Sequence, residues 1–290
     1  MRGRVFSWSL AAGALALGLV SLAPVMRAAA QSLPQSSLLA QATRWIEVGG
    51  VSGDVTYRAQ ENRSARSGDR LSTGNGLSTS RRATAVLNID DDIGVIRVAE
   101  RTDLIVDQLG ILPDGARVTK LRVNRGQARI QARPFNNPNT VLELTTPSGV
   151  VSVRGTEYGV SVADDGKTSV GTLEGSVTTE AAGQSVEVNA GLATVVIPGE
   201  PPLPPLLLDR ELDFRFSYWR RGSRQLYIEA YVNPTNTVFI NGEEVPINRR
   251  GLLSIHLIVP ASQPYLTVLV RNPLGEERRH RLSVREIDGK

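Results

Sequence analysis

The chain has 290 residues, of which 41% are hydrophobic, 21% charged and 5% aromatic, so it holds about two folded units with cores of Val, Leu, Ile and Ala. Its formal charge of +4 falls to 30 basic against 29 acidic side chains once Arg2, Arg4 and Arg27 are set aside with the leader described next, which removes the long-range pull of a nucleic-acid binder. With no cysteine it has no disulfide, no thiolate metal site and no thiol for a lipid anchor, and His256 and His280 are its only histidines.

Residues 1–30 read as a secretory signal. Arg2 and Arg4 form the basic start, Leu10 to Val20 is an uncharged apolar run, and Pro24 breaks the helix. Ala28 and Ala30 supply the small residues of an A-x-A cleavage site, so the mature chain is expected to begin at Gln31. The alternative is an uncleaved anchor, which needs about 20 apolar residues and reaches that length only if the whole of Phe6 to Met26 is counted. Residues 31–44 are polar and expected to be disordered.

From 45 to 197 the sequence reads as short strands between Gly, Asn and Asp turns. Ala83, Ala85, Leu87 and Ile89 alternate with polar neighbours, as do Thr119, Leu121 and Val123, and Leu142 and Leu144 flank Glu143. A period of two means one buried and one wet face. Between 157 and 197 the turns fall at Asp164–Lys167, Glu174-Gly175, Ala182-Gly183 and Ala190-Gly191. A weak echo places small residues around Gly53, Gly126 and Gly175, at unequal spacings that do not establish a repeat. The echo fits strands stacked in a solenoid-like or barrel-like sheet.

Residues 198–211 open with five prolines in eight positions, Pro198 to Pro205, and are expected to form a semi-rigid linker. Beyond it, 212–290 carries strands at Leu226–Val232, Thr237–Ile240, Gly251–Val259 and Tyr265–Val270, with a hairpin dipeptide at Asn241-Gly242 and a turn at Asn272–Gly275. That spacing predicts a small Ig-like sandwich. The fold class expected is all-β throughout.

The segment Val153-Arg154-Gly155-Thr156-Glu157-Tyr158-Gly159-Val160 resembles the Arg-Gly-Thr-x-aromatic-x-Val stretch of the FecR family. Leu173-Glu174-Gly175-Ser176-Val177 resembles that family's Leu-x-Gly-x-Val, Gly68-Asp69-Arg70-Leu71-Ser72-Thr73 its Gly-Asp-x-Leu-x-Thr turn, and Val188–Gly191 its closing Ala-Gly turn. The resemblance covers roughly 45–197. It implies an all-β sensor domain outside the cytoplasm, in a family whose regulators relay receptor occupancy to a sigma factor through a cytoplasmic domain and a membrane helix. Here only about seven residues precede the apolar run, so a stand-alone exported form is expected. Arg154, Gly155, Thr156, Glu157, Tyr158, Val160 and Gly175 are read as structural: the glycine at 155 admits a tight strand entry, and Thr156 and Glu157 can satisfy turn amides.

No constellation for catalysis stands out. Gly166-Lys167-Thr168 lacks the earlier glycine and following helix of a phosphate loop and reads as a hairpin turn. His256 falls on a wet strand face, and His280 sits among Arg278, Arg279 and Arg281, which disfavour metal and imidazolium alike. Asp90-Asp91-Asp92 lacks the spaced ligands of a calcium loop. Arginine doublets near Tyr218, Trp219 and Tyr227 could hold sugars or anionic polymers, against a plainer reading as scattered surface charge. The sequence therefore predicts a non-enzymatic protein without catalytic residues, metal or cofactor, periplasmic or at the cell surface. Its expected partner is an envelope protein, or alternatively a cell-wall glycan bound by the C-terminal unit, with no nucleic acid and no membrane span after cleavage.

Overall fold

The computed structural model describes residues 44–90, 93–153, 155–221, 225–258, 260 and 265–283. The leader with Ala28 and Ala30, most of the 31–44 stretch, Asp91, Asp92 and Arg154 lie outside the described residues. So do the side chains of 217–221, and with them the grouping suggested around Tyr218 and Trp219. Among the described residues every regular element is a β-strand, as the period of two requires, and no barrel closes.

The first unit begins with β1 (Ile46–Ser52), β2 (Val55–Arg58), β3 (Arg63–Ser64), β4 (Arg70–Leu71), β5 (Gly76–Thr79) and β6 (Thr84–Ile89). There follow β7 (Gly94–Val98), β8 (Asp103–Ile111), the long β9 (Arg117–Ala132), β10 (Val141–Thr145), β11 (Val150–Val153) and β12 (Glu157–Val162). It closes with β13 (Thr168–Glu174), β14 (Ser176–Ala181), β15 (Gln184–Asn189), β16 (Leu192–Val196) and β17 (Leu206–Leu207). One sheet runs β4-β1-β6-β7-β9-β12-β13-β16-β17. The other runs β3-β2-β5-β8-β9-β10-β11-β14-β15, with β9 and β10 parallel. Strand β9 belongs to both, its first half in the second sheet and its last half in the first.

The two inner faces meet in one core. Ile46, Leu87, Ile96, Ile130 and Tyr158 from the first sheet pack with Leu77, Leu104, Leu121, Leu142 and Val188 from the second, all at 0–1% exposure. Each such aliphatic side chain contributes about 1.5–3 kcal/mol by leaving water. The alternating residues singled out in the sequence, from Ala83 to Ile89 and from Thr119 to Val123, point into this core.

The glycine echo has a structural meaning. Gly53, Gly126, Gly155 and Gly175 all have positive φ, at +75°, +87°, +71° and +76°, and each stands where the chain leaves one sheet for the other. At Gly126 a Cβ would overlap Thr102 Cα. The Thr102 hydroxyl accepts the Gln127 amide at 2.9 Å and donates to the Gln127 carbonyl at 3.1 Å, which fixes the corner. Strands that switch sheets need such bends to keep both layers paired.

The proline-rich stretch runs along the first sheet: Leu203 donates its amide to the Val195 carbonyl, and β17 pairs with β16. The C-terminal unit has β18 (Arg215–Arg221), β19 (Gln225–Tyr231) and β22 (Leu252–Ile258) in one sheet, with order β18-β19-β22. The second holds β20 (Thr237–Ile240), β21 (Glu243–Val245), β23 (Tyr265–Arg271) and β24 (Glu277–Ser283), ordered β21-β20-β23-β24. Ile228, Leu253, Ile240, Val268 and Val270 fill the core between them. Asn241 and Gly242 take φ of +53° and +86°, the mirror-image turn expected of that pair.

The turn between β23 and β24 rests on the outer face of the first sheet. Gly159 and Gly171 lie opposite each other in β12 and β13, and the bare backbone there admits Pro273 and Leu274. Gln127 donates from Nε2 to the carbonyls of Asn272 and Pro273, both at 2.8 Å. Lys167, only 4% exposed, donates from Nζ to the Pro234 and Asn236 carbonyls at 3.2 and 3.1 Å. Arg271 bridges Glu277 at 2.6 Å and Glu100 at 3.1 Å.

Candidate binding cleft

Where the C-terminal turn does not cover it, the first sheet's outer face carries a cleft of about 540 Å³. Its floor is a straight row across six strands. Glu47 pairs with Asn88, Asn88 with Val95, Val95 with Gln131, Gln131 with Glu157, and Glu157 with Glu174. Five interstrand steps of about 4.8 Å make the row about 24 Å long. Alternation explains most of it: the flanking Ile46, Leu87, Ile96, Ile130 and Tyr158 point inward, so their neighbours in the row point out. Glu174 needs a further device. A bulge leaves Leu173 as the extra residue between the Glu157↔Glu174 and Tyr158↔Thr172 pairs, which turns Glu174 to the outer face.

Around the row, Trp45 and Asp90 stand at one end and Arg133, Pro134, Gly155 and Thr156 form the far wall. Arg70 stacks on the Trp45 ring at 4.0 Å and holds it. Arg44, 9% exposed, clamps Asp90 through Nε and Nη2 at 3.1 and 2.8 Å, and its Nη1 reaches the Val118 carbonyl at 2.7 Å. Arg129 donates to Glu157 at 2.8 and 2.6 Å. Glu47, Asn88, Gln131, Glu174 and Arg133 carry no side-chain hydrogen bond or ion pair among the described residues. Among the described residues the cleft thus presents free acceptors and amides in a fixed line, with the Arg133 guanidinium in the wall beside them.

The family-motif residues divide between core and cleft. Gly155 sits in a sheet-switching corner where a Cβ would overlap Pro134 Cα and lie 2.7 Å from its nitrogen. Tyr158 and Val160 are fully buried, and desolvation pushes the Tyr158 phenol up from its ordinary value. Gly175 takes φ +76° against the Thr156 methyl, 2.7 Å from where its Cβ would stand. The turn-amide role expected of Thr156 and Glu157 is not what the structure shows. Glu157 lies on the outer face beside Arg129 and forms an ion pair, and the buried Thr156 hydroxyl has no hydrogen-bond partner among the described residues.

Other candidates are placed as follows. Asp90 is engaged by Arg44 and Arg117. His256 is exposed and stacks on Tyr227 at 4.5 Å, and the His280 ring lies 2.8 Å from the Leu212 carbonyl. The Gly166-Lys167-Thr168 turn joins β12 to β13. The burial of Lys167 gave no signal in the sequence, nor did the seat formed by Gly159 and Gly171. A Gly-Gly cross-strand pair becomes recognisable only once register is known.

Fold and cleft define an all-β protein with an open, polar groove across one sheet. Residues 70–178 match the family described as FecR protein, a span running from β4 into β14 that contains Asn88, Gln131, Glu157 and Glu174 but neither Trp45 nor Glu47. Two crystal structures of a candidate anti-sigma factor from Parabacteroides distasonis ATCC 8503 are similar at 13% identity and TM-score 0.39, covering 46% of this chain and 60% of that one. A polysaccharide lyase is similar at 9% identity and TM-score 0.19, over 83% of this chain and 39% of that one. The chain therefore spans less than two thirds of these proteins, and at such TM-scores neither likeness bears on what it does. No curated protein matches the chain.

Proposed function

We propose that the chain is an exported, non-enzymatic recognition protein of the cell envelope, acting in signalling, with the cleft of its first unit as the recognition surface. The observation that carries this reading is the overlap of the FecR match at 70–178 with five of the six residues in the cross-strand row, all but Glu47. The row holds side chains whose hydrogen-bonding capacity is unused inside the protein, the condition for spending it on a partner. Burial and backbone pairing fix its geometry, so a partner meets a preorganised surface. The signal-like leader supports export, and the two C-terminal sheets, of three and four strands, support an Ig-like module that braces the first sheet from its outer face.

The test is capture from envelope fractions with the full chain and with a Gln131→Ala/Glu174→Ala variant. A component held by the parent chain and lost by the variant is expected. Equal recovery by both, or confinement of the chain to the cytosol, removes the proposal.

A further inference from the structure

We propose that the cleft binds a linear, neutral, polyhydroxylated chain, an oligosaccharide strand laid across the strands along the row from Glu47 to Glu174. This rests on the reading of the cleft as the recognition surface and adds the ligand's class.

Three features of the row select that chemistry. The first is the mixture of free groups. Glu47 and Glu174 only accept hydrogen bonds, Arg133 only donates, and Asn88 and Gln131 do both. A sugar hydroxyl both donates and accepts, so one hydroxylated chain satisfies each of these five groups, four in the row or at its ends and Arg133 in the wall beside it. The second is charge. Asp90 is already neutralised by Arg44 and Arg117, Glu157 by Arg129, Glu47 lies opposite Arg70 in the sheet, and the charge of Glu174 is set against that of Arg133 in the same cleft. The floor thus lacks the one-signed field that a charged polymer would require. The third is shape. The groups stand in line for about 24 Å at one per strand, which suits several rings end to end and is far longer than a single ring needs. Val95 in mid-row and the Trp45 ring at one end supply apolar surface for ring faces. The amides of Asn88 and Gln131 flank Val95 and match an acetamido substituent donor for acceptor, so the probe of choice carries that group.

The experiment is calorimetric titration of the full chain with N-acetylglucosamine oligomers of one to six units, with glucose oligomers of the same lengths as a second arm. Affinity should rise with length, by about tenfold or more from the dimer to the hexamer as further hydrogen-bonded rings engage. The Gln131→Ala/Glu174→Ala variant should lose about tenfold while its circular dichroism and melting temperature stay unchanged. Preference for the acetamido series supports the pairing with Asn88 and Gln131, and equal binding of both series restricts the specificity to hydroxyls. No binding of either hexamer at millimolar concentration, affinity independent of length, or undiminished binding by the variant overturns the proposal. If the oligomers fail while the variant still loses its envelope partner, the ligand class is wrong and the recognition surface stands. If neither readout changes, both readings fall.

Discussion

Replacing Gly159 with alanine tests how the C-terminal unit is seated. In an ordinary strand the change would help, since glycine costs roughly 0.5–1 kcal/mol relative to alanine in a strand interior. Here the added Cβ would overlap the Pro273 carbonyl oxygen and stand 2.7 Å from its carbon and 2.9 Å from Leu274 Cα, all backbone atoms. The turn must lift, which breaks both Gln127 bonds to Asn272 and Pro273. Two neutral hydrogen bonds are worth about 1 kcal/mol each, and a buried amide left without partners adds about 1–3. After subtracting the backbone gain, a net loss of about 2–4 kcal/mol is expected, or a melting temperature lower by roughly 5–15 °C for a chain of this size. Gly171, directly opposite, is the internal control. A Cβ there meets only the ends of the Leu208 and Pro273 side chains, at 3.0 and 3.3 Å, so Gly171→Ala should cost less than about 1 kcal/mol. Calorimetric melting of both variants measures the difference. A Gly159→Ala chain as stable as the parent, or no less stable than Gly171→Ala, would refute the seating of the turn on this pair.

Burial drives the Lys167 ammonium down to about 8 and the Glu244 carboxyl up to about 7. Between about 4.5 and 7 the folded chain therefore holds more protons than the unfolded one, and between about 8 and 10.5 it holds fewer. Stability should fall across the first window, pass a minimum near pH 7–8 and rise across the second. Urea titrations over that range should show Lys167→Met flattening the alkaline limb and Glu244→Gln the acidic one. Gly155→Ala should destabilise by about 2–4 kcal/mol, combining a left-handed backbone with overlap on Pro134, and chemical denaturation will read it. Tyr158→Phe should be neutral or stabilising by up to about 1 kcal/mol, because the buried hydroxyl has no partner among the described residues to lose. A loss well above that in the same assay would show that the phenol is bonded.

Much of the fold was legible along the chain because alternation is a local property. Residues such as Ala85, Leu87 and Ile89 announce a buried face whatever their strand pairs with, and Asn241-Gly242 announces a reversal through its own backbone preference. The cleft was only half legible. Gly155 and Glu157 were singled out, whereas Asn88, Gln131 and Glu47 look like ordinary polar residues of wet strand faces. They become a row through register, and register is set by pairings that join residues as distant as Glu47 and Asn88 or Val95 and Gln131. The roles given to Thr156 and Glu157 failed for the same reason, since Arg129, the partner that takes Glu157, is 28 residues away.

The sequence by itself determined that the chain folds as short strands, which faces they bury and where positive-φ glycines break them, because those follow from side-chain period and backbone sterics at single positions. Only the tertiary structure decided that those glycines are the corners between two sheets, that Gly159 and Gly171 seat a turn from the far end of the chain, and that Lys167 is buried against the carbonyls of Pro234 and Asn236. The physical reason is that pairing across a sheet and docking between sheets join residues far apart in sequence, and their free energy appears only when both partners are in place.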